Sequence, residues 1–512
     1  MNSNIFDLDH LSLEAQIAQM IVVRASGSLS DRQILYPQWE ANYDQLSSWI
    51  QELGIGGVIL MGGTAAEVAW RTAQLQALSQ IPLLIAADLE EGVGQRFAGA
   101  TWFLPPFACL TTKDAADLGR VTAAEALEIG INWLLAPVAD VNNNPQNPVI
   151  NIRAFGDRPD WVAKCVAAFI GGAKSYPVLT TAKHFPGHGD TAIDSHLDLP
   201  VLTHGRSRFG DLEFVPFQAA IAAGVDSIMT AHVLALGLDS GEIATLSGKI
   251  LSGILRQELG FEGLIVSDAL NMAGIAQRYS LAEVAIKAVL AGVDILLMPA
   301  NPVVVIKAIA AAVRSQVIPV SRIKAALTRI CQAKTKVGQP RPLAIPQVGT
   351  FPNWQLAEDL AQRSLKSHLV WRLPQGQAFT QLIVVERLQD VPELCLGNQS
   401  AWLKQWGANP LVVDLNLLAK LDWDSLGAVL LQVFSRGNPW RGGMSAQIPE
   451  LVTRLLQAQQ LQAIALFGSP YALDRVLALV PETLPWVFSY GQQPYAQAIA
   501  LAKLFDQIYL PA

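Results

Sequence analysis

The chain is poor in charge and contains no cluster of basic residues. Only 15% of its 512 residues are charged, and the formal net charge is −7. Nucleic-acid-binding surfaces concentrate lysine and arginine, so we expect no nucleic-acid partner. Hydrophobic residues make up 51% of the chain instead. This proportion predicts large cores with many fully buried elements, as parallel α/β sheets require.

Cysteine is also scarce, and the four cysteines are far apart in the sequence. Disulfide scaffolds and zinc sites use cysteines at short, repeated spacings, which this chain does not have. We therefore expect reduced thiols in the core and a reducing compartment. Separately, we expect the chain to need neither a metal nor a cofactor. The four residues are Cys109, Cys165, Cys331 and Cys395.

Sequence signals for export or for a membrane span are missing as well. Residues 1–7 contain neither the basic region nor the apolar region of a secretory signal. The longest uncharged stretch, residues 484–502, carries Pro485, Pro494 and several glutamines, which is unlike a membrane helix. We expect a cytoplasmic chain without a membrane partner.

Eight apolar runs alternate with helical patterns over the first two thirds of the chain. The clearest helical patterns are residues 65–78, 115–127 and 281–291. This alternation predicts a parallel (β/α)8 TIM barrel. An open doubly wound sheet would need a glycine-rich phosphate turn after the first strand, and none is present. The predicted strands are residues 20–23, 57–61, 82–87, 131–138, 178–182, 226–230, 263–266 and 293–298.

A second, smaller α/β block follows the barrel pattern. Residues 336–346 are rich in proline and predict a linker. We expect a barrel catalytic domain (1–335), a linker (336–358) and a C-terminal α/β (αβα sandwich) domain (359–512). The strands predicted for this last domain are residues 382–385, 411–413, 428–434, 463–467 and 486–488.

Polar side chains follow most of the predicted barrel strands. The carboxyl ends of barrel strands share one face, where the active sites of such enzymes lie. Each residue alone could simply cap the next helix. Their convergence from several strands favours a functional site. The residues are Asp88 with Glu90, Glu91 and Arg96; Asp140 with Asn142, Asn143 and Asn144; Arg153; Lys183 with His184; His232; and Asp268.

The densest group of titratable residues lies in residues 183–196, Lys-His-Phe-Pro-Gly-His-Gly-Asp-Thr-Ala-Ile-Asp-Ser-His. Its proline and glycines predict a loop at the end of a buried strand. Asp194 could fix the tautomer of His196 and raise its basicity for acid–base work, or both residues could only hold the loop in place. Asp268 has two interpretations in the same way, as a nucleophile or as a helix cap.

Two other hydrolase chemistries fit the sequence less well. A serine hydrolase would need a Gly-x-Ser-x-Gly turn, which is absent. A barrel metal site usually starts with a His-x-His pair on the first strand, and residues 20–25 contain no histidine. The residues that could otherwise supply a metal site are His184, His188, His196, His232 and Asp268.

Residues 183–196, continued by Leu199 and Pro200, resemble the signature of family 3 glycoside hydrolases. The similarity is to the branch of β-N-acetylglucosaminidases that release N-acetylglucosamine from muropeptides, and it covers roughly residues 10–335. It implies a small carbohydrate substrate, a role in peptidoglycan recycling and, we expect, a monomer. Supporting motifs are Asp88-Leu89-Glu90 with Arg96, the run of residues 136–142, Arg153-Ala154-Phe155-Gly156 and Ser267-Asp268.

The resemblance also implies roles for individual residues. Asp268 matches the catalytic nucleophile, His196 the unusual acid/base and Asp194 its partner. Five residues match positions that hold the sugar, and we add Asp140 and His232 from neighbouring strand ends to this substrate-binding set. The five are Asp88, Arg96, Arg153, Lys183 and His184.

The implied activity is that of a retaining exo-β-N-acetylglucosaminidase. The alternatives are a family 3 β-glycosidase or phosphorylase of other sugar specificity, and a non-catalytic sugar-binding protein. The chain departs from the family pattern at residues 88–94, which read Asp-Leu-Glu-Glu-Gly-Val-Gly, and at Ala269, where the family often has aspartate. Neither change falls on a proposed catalytic residue, but both are expected to alter the polarity of the pocket.

Overall fold

A computed structural model of the chain describes residues 8, 10–34, 36–195, 198–372, 378–386, 403–436 and 447–507. Internal contacts divide the chain into two compact units. The first consists of Met1–Trp102, Thr111–Asn147 and Arg153–Trp354. The second consists of Phe103–Leu110, Pro148–Ile152 and Gln355–Ala512.

The first unit is a parallel eight-stranded barrel, as the alternating pattern predicts. Its strand order is β10-β1-β2-β3-β4-β5-β7-β9, and a parallel bridge between Val266 and Ile295 joins the two ends of the sheet. Strands β6 and β8 pair separately and tie together the loops that follow β5 and β7. The strands are β1 (Ile21–Ser26), β2 (Gly57–Met61), β3 (Leu84–Ala87), β4 (Trp133–Leu134), β5 (Leu179–Phe185), β6 (Val201–Leu202), β7 (Ser227–Thr230), β8 (Leu234–Ala235), β9 (Leu264–Val266) and β10 (Leu296–Leu297).

Local sequence signals start several of the barrel helices. Thr64 with Glu67, Thr111 with Asp114, and Ser280 with Glu283 form capping boxes, which satisfy the first backbone N–H groups of their helices. The helices of this unit are Leu13–Ala18, Tyr43–Ser48, Ala65–Leu78, Thr112–Glu128, Pro159–Ala173, Arg206–Arg208, Phe214–Ala222, Ala273–Ala276, Leu281–Ala291, Pro302–Arg314 and Val320–Val337, with π-helical turns at Trp49–Leu53, Phe209–Glu213 and Lys249–Glu258.

The barrel strands are buried on both faces, which explains why they read as continuous apolar runs. The barrel interior also accommodates the indole ring of Trp133 with its polar N–H group. Trp133 is fully buried, and its Nε1 donates to Thr181 Oγ1 at 2.8 Å and to Ser227 Oγ at 3.1 Å. Strand β4 is shorter than its predicted run of residues 131–138, which continues through Pro137, a residue without a backbone N–H to pair.

A buried carboxylate joins the two ends of the barrel sheet. Asp294 precedes β10 and accepts a hydrogen bond from the backbone N–H of Ile265 in β9 at 3.1 Å. Arg256, Arg322 and Arg329 donate to the same carboxylate at 2.6, 2.8 and 3.2 Å. These bonds compensate the cost of burying Asp294 and connect the last helices of the barrel to its closing strands.

The second unit is built on a mixed six-stranded sheet in the order β11-β16-β15-β14-β12-β13. All pairs are parallel except β11 with β16. The five predicted strands are confirmed. The sixth, β11 (Lys366–His368), consists of three exposed polar residues, so no apolar run in the sequence marks it. The others are β12 (Phe379–Val385), β13 (Ala408–Asp414), β14 (Val429–Ser435), β15 (Leu461–Gly468) and β16 (Trp486–Ser489), and the helices are Phe351–Ser364, Gln447–Gln457, Pro470–Leu477 and Pro494–Leu504.

Cys109, Cys165 and Cys331 are buried thiols, as expected of core cysteines, while Cys395 lies outside the described residues. Burial raises the pKa of Cys165 to about 12. None of the helices in the described part of the chain is both long and apolar enough to cross a membrane.

Candidate active site

The residues predicted to form a site lie at or just beyond the carboxyl ends of the barrel strands. Asp88 follows β3 directly, and Lys183 and His184 lie at the carboxyl end of β5. His232 and Asp268 each come two residues after a strand, β7 and β9. Because the strands are parallel, these side chains start from the same face of the barrel.

Lys183 is at the centre of a group of charged side chains that we call the ion-pair cluster: Asp88, Glu90, Arg96, Arg153 and Lys183. The Nζ atom of Lys183 lies 2.7 Å from Asp88 Oδ1 and 2.7 Å from Glu90 Oε1. Arg153 binds Glu90 through two nitrogens, at 2.9 and 2.8 Å. Arg96 donates to the backbone carbonyl of Asp88 at 3.2 Å, and its guanidinium lies 3.7 Å from Asp88 Oδ2.

The charges in this cluster hold one another in the ionised state. Burial alone would raise the pKa of Glu90, but Arg153 and Lys183 outweigh it and hold that pKa well below its usual range. The pKa of Asp88 is lowered against burial by Lys183 and Arg96. The pKa of Lys183 is raised against burial by Asp88 and Glu90. The cluster therefore presents fixed charges at neutral pH, which suits donation to and acceptance from sugar hydroxyl groups.

Glu90 was absent from the substrate-binding set predicted from the sequence, although it connects two of its members. It lies two residues after Asp88, and its side chain is 2% exposed, against 20% for Asp88. Glu90 therefore supports the two cations from behind, while Asp88 is the carboxylate with access to solvent. The usable sequence signal was the Asp-x-Glu spacing, which puts both carboxylates beside the same strand end.

A second group connects the loop after β4 with the end of β5. Asp140 is fully buried and accepts a hydrogen bond from His184 Nδ1 at 2.7 Å and from the backbone N–H of His188 at 2.7 Å. A carboxylate can only accept here, so Nδ1 of His184 carries the proton. Burial opposes ionisation of Asp140, but His184 reverses this effect and lowers the pKa of Asp140. Asp140 thus orients the imidazole of His184 and anchors the backbone at His188.

His188 is buried, and both of its ring nitrogens face uncharged hydroxyl groups. Its Nδ1 lies 2.8 Å from Thr191 Oγ1 and its Nε2 lies 2.9 Å from Ser195 Oγ. Burial lowers the pKa of His188 to about 4, although the charges of Asp140 and Asp268 partly oppose this shift. The charge of Asp268 thus contributes to the electrostatic environment of His188.

The low pKa of His188 predicts a pH dependence of stability. The unfolded chain binds this proton below about pH 6.5, whereas the folded chain resists it down to about pH 4. Its stabilising contribution is complete above pH 6.5 and is lost as the pH falls toward 4. Lowering the pH from 7.5 to 5 reduces the free energy of unfolding of the wild type through this group. We expect the reduction to be smaller by roughly 2 kcal/mol in His188→Asn.

Urea unfolding of the wild type and the variant at both pH values measures this difference. His368→Gln is the matched control, because His368 is an exposed histidine of the second unit. An identical pH dependence in wild type and His188→Asn would contradict the prediction.

Asp268 and His232 are linked through the backbone of Ala269. The N–H of Ala269 donates to Asp268 Oδ1 at 2.7 Å, and its carbonyl lies 3.1 Å from His232 Nε2. Because a carbonyl can only accept, Nε2 of His232 carries a proton. Asp268 is partly exposed, whereas His232 is fully buried. His232 therefore helps to place the peptide beside Asp268.

The glycines of the loop after β5 permit close packing against two neighbouring segments. A Cβ atom on Gly189 would lie 1.7 Å from the carbonyl oxygen of Val141. Gly187 has a φ of +127°, and a Cβ there would lie 2.7 Å from Glu213 Cγ. Asn147 also donates to the carbonyl of His188 at 2.8 Å. The backbone of this loop is therefore held from both sides.

Two of the three predicted catalytic residues fall within the described part of the chain. Asp194 is buried in the loop after β5, and Asp268 follows β9. His196 lies outside the described residues, so its pairing with Asp194 stays a prediction. Among the described residues, no group of three or more histidine, cysteine, aspartate or glutamate side chains is arranged to hold a metal ion.

Comparison with known proteins identifies families and relatives that this chain resembles. Residues 12–333 match the Glycosyl hydrolase family 3 N terminal domain, and residues 374–506 match the Bacterial Glycosyl hydrolase family 3 C-terminal domain. Beta-hexosaminidase A of Pseudoalteromonas piscicida is 37% identical over 289 residues, which are 50% of this chain and 47% of that protein. A Beta-N-acetylglucosaminidase/beta-glucosidase of Cellulomonas fimi is 34% identical over 310 residues, 58% of this chain and 55% of that one.

The match thus spans about half the length of these two curated relatives. Among solved structures, a glycoside hydrolase family 3 beta-N-acetylglucosaminidase from Paenibacillus sp. str. FPU-7 is similar with a TM-score of 0.81 and 28% identity, covering 98% of each chain. The N-terminal domain match alone covers more than half of the sequence and contains every residue discussed above as part of the site. The chain belongs to glycosyl hydrolase family 3.

Proposed function

We propose that this protein is a retaining exo-acting β-N-acetylglucosaminidase that removes terminal N-acetylglucosamine from muropeptide-type glycosides. The observation that carries the proposal is that the ion-pair cluster and Asp268 both lie at strand ends on the carboxyl face of the barrel. The similarity to the Paenibacillus β-N-acetylglucosaminidase over 98% of both chains supports the choice of sugar. The proposal assigns the chemistry to residues 1–335, which end before the predicted linker.

Exposure distinguishes the substrate contacts within the cluster. Asp88 is 20% exposed and Arg96 37%, whereas Lys183 is 1% exposed. In the proposal, Asp88 accepts hydrogen bonds from sugar hydroxyls, and the arginines donate to the hydroxyls or to the N-acetyl carbonyl. Lys183 keeps Asp88 charged and oriented. His184, held by Asp140, presents its Nε2 side to the sugar.

The proposed reaction has two steps, as in other retaining glycosidases. Asp268 attacks the anomeric carbon, while His196, oriented by Asp194, protonates the leaving oxygen. Water then attacks the glycosyl-aspartate, and neutral His196 takes its proton. The carboxylate of Asp268 leaves, so the product keeps the β configuration. Because the N–H of Ala269 already binds Asp268 Oδ1, one carboxylate oxygen is fixed.

Hydrolysis of 4-nitrophenyl N-acetyl-β-glucosaminide by the purified chain tests the proposal. The β-glucoside, EDTA and inorganic phosphate supply the comparisons. We expect release from the N-acetyl substrate, retention at the anomeric carbon, and no effect of EDTA. Absence of turnover, with binding of N-acetylglucosamine, would favour a non-catalytic sugar-binding protein.

A second candidate activity is β-glucoside hydrolysis. The Cellulomonas fimi relative carries both activities in its name, and this chain is 34% identical to it over the matched region. Equal rates on the two nitrophenyl substrates would support this candidate, and a rate that depends on phosphate with a glycosyl phosphate product would support a phosphorylase. A monomeric state, a cytoplasmic location and muropeptides as the natural substrates are further predictions.

A further inference from the structure

A buried carboxylate lies directly behind the loop that carries Asp194. Glu213 ends the π-helical turn Phe209–Glu213 and is 3% exposed. Its Cβ and Cγ atoms pack against Gly187, where a Cβ atom would come within 2.8 and 2.7 Å of them. The loop can therefore follow this path only because residue 187 is glycine, and any shift of Glu213 must move the loop or open a gap.

A cation connects Glu213 to a second point of the same loop. Nη2 of Arg208 lies 3.3 Å from Glu213 Oε1 and 3.4 Å from Asp190 Oδ2. His204 Nε2 bonds the same oxygen of Asp190. Asp190 lies four residues before Asp194, so the loop contacts Glu213 directly at Gly187 and through Arg208 at Asp190.

The burial of the Glu213 carboxylate is poorly compensated, so this group is not expected to stabilise the fold. Among the described residues, no other residue donates a hydrogen bond of acceptable geometry to either carboxylate oxygen, and the contact with Arg208 is an ion pair only. Burial raises the pKa of Glu213, although Arg208 and His204 partly oppose the shift. A well-packed apolar side chain at such a position is often neutral or stabilising. This suggests that the carboxylate is kept for its effect on the loop.

We propose that Glu213 is a positioning residue for the acid/base loop, acting on Gly187 by contact and on Asp190 through Arg208, and so fixing the place of Asp194. The inference rests on the proposed function, because it assigns the acid–base step to this loop. Removing the charge of Glu213 loosens Arg208 and Asp190 without touching Asp268 or the ion-pair cluster.

Loss of loop position affects substrates unequally. A leaving group that is stable as an anion departs without protonation, whereas a poor leaving group needs a well-placed acid. Small misplacements of a catalytic group can cost up to about 100-fold in rate. A positioning role therefore predicts a selective loss on substrates with poor leaving groups, whereas a purely structural defect lowers the rate on all substrates alike.

The experiment compares kcat/KM of the full chain on 2,4-dinitrophenyl and phenyl N-acetyl-β-glucosaminides. We expect Glu213→Gln to lose roughly tenfold on the phenyl glycoside and less than about twofold on the dinitrophenyl glycoside. Asp211→Asn is the matched control, because Asp211 is an exposed carboxylate of the same turn. We expect it to behave as wild type on both.

Arg208→Gln provides a second variant if Glu213→Gln does not fold, and we expect the same selective loss. Equal losses on the two substrates, with an active wild type, overturn the inference and leave the proposed function intact. Unfolding of both variants, while Asp211→Asn folds, assigns Glu213 a purely structural role and also overturns it. A wild type that is inactive on both substrates overturns the proposed function together with this inference.

Discussion

Replacing Asp268 with alanine is expected to abolish nearly all turnover while the barrel stays folded. Removing the nucleophile of a covalent mechanism costs on the order of 10⁴-fold or more in kcat. The side chain of Asp268 is partly exposed, and its Oδ1 accepts a hydrogen bond from the adjacent N–H of Ala269. Its loss should therefore change the thermal midpoint little. Steady-state rates and thermal unfolding of the same preparations measure both effects.

A small anion distinguishes a lost nucleophile from a damaged pocket. With Asp268→Ala, azide can enter the vacated space and attack the anomeric carbon directly, which gives an α-glycosyl azide. We expect azide to restore part of the rate on an activated aryl glycoside, with inversion. Asp198→Asn is the control, since Asp198 is an exposed carboxylate paired with Arg278, and azide should not affect it. Normal turnover by Asp268→Ala would exclude the mechanism.

The sequence was sufficient to predict the barrel because its strands are buried on both faces. Each of the eight apolar runs overlaps a strand, although β4 and β10 are shorter than their runs and β1 and β5 extend beyond theirs. The strand β11 could not be found in this way, because all three of its residues are exposed. It belongs to the sheet through antiparallel pairing with β16, a contact between segments more than a hundred residues apart.

The site shows the same limit. The sequence motifs predicted that Lys183, Asp88 and Arg153 belong to one site, because strand ends of a barrel share one face. The sequence did not predict that Glu90 would link Arg153 to Lys183, since that role depends on three-dimensional contacts across more than 60 positions. Glu213 was not predicted for a related reason. It neither follows a predicted strand nor belongs to a motif, and its role depends on packing against Gly187.

Replacing Lys183 with methionine is expected to destabilise the barrel strongly. Lys183 is 1% exposed and is the shared cation of Asp88 and Glu90, whose carboxylates would then face each other with less compensation. Removing one partner of a buried ion pair costs about 3–5 kcal/mol. Lys287→Met is the matched control: Lys287 pairs with Glu242 but is 41% exposed, and solvent-screened pairs are worth about 0–1 kcal/mol. Urea unfolding at pH 7 measures both.

The pH dependence of this loss identifies its cause. The pKa values of Glu90 and Asp88 are lowered in the folded wild type, so their stabilising contribution is present above the usual carboxyl pKa, near 4, and is lost as the pH falls through the lowered values. The deficit of Lys183→Met should therefore shrink as the pH falls below 4 and the carboxylates become protonated. Adding Asp88→Asn to Lys183→Met should recover part of the stability at pH 7, because Lys183 is the nearest cation to Asp88, at 2.7 Å, and the second substitution removes the charge that loses this partner. A deficit that is constant with pH, and unchanged in the double variant, would mean that Lys183 stabilises the barrel by packing and not by charge.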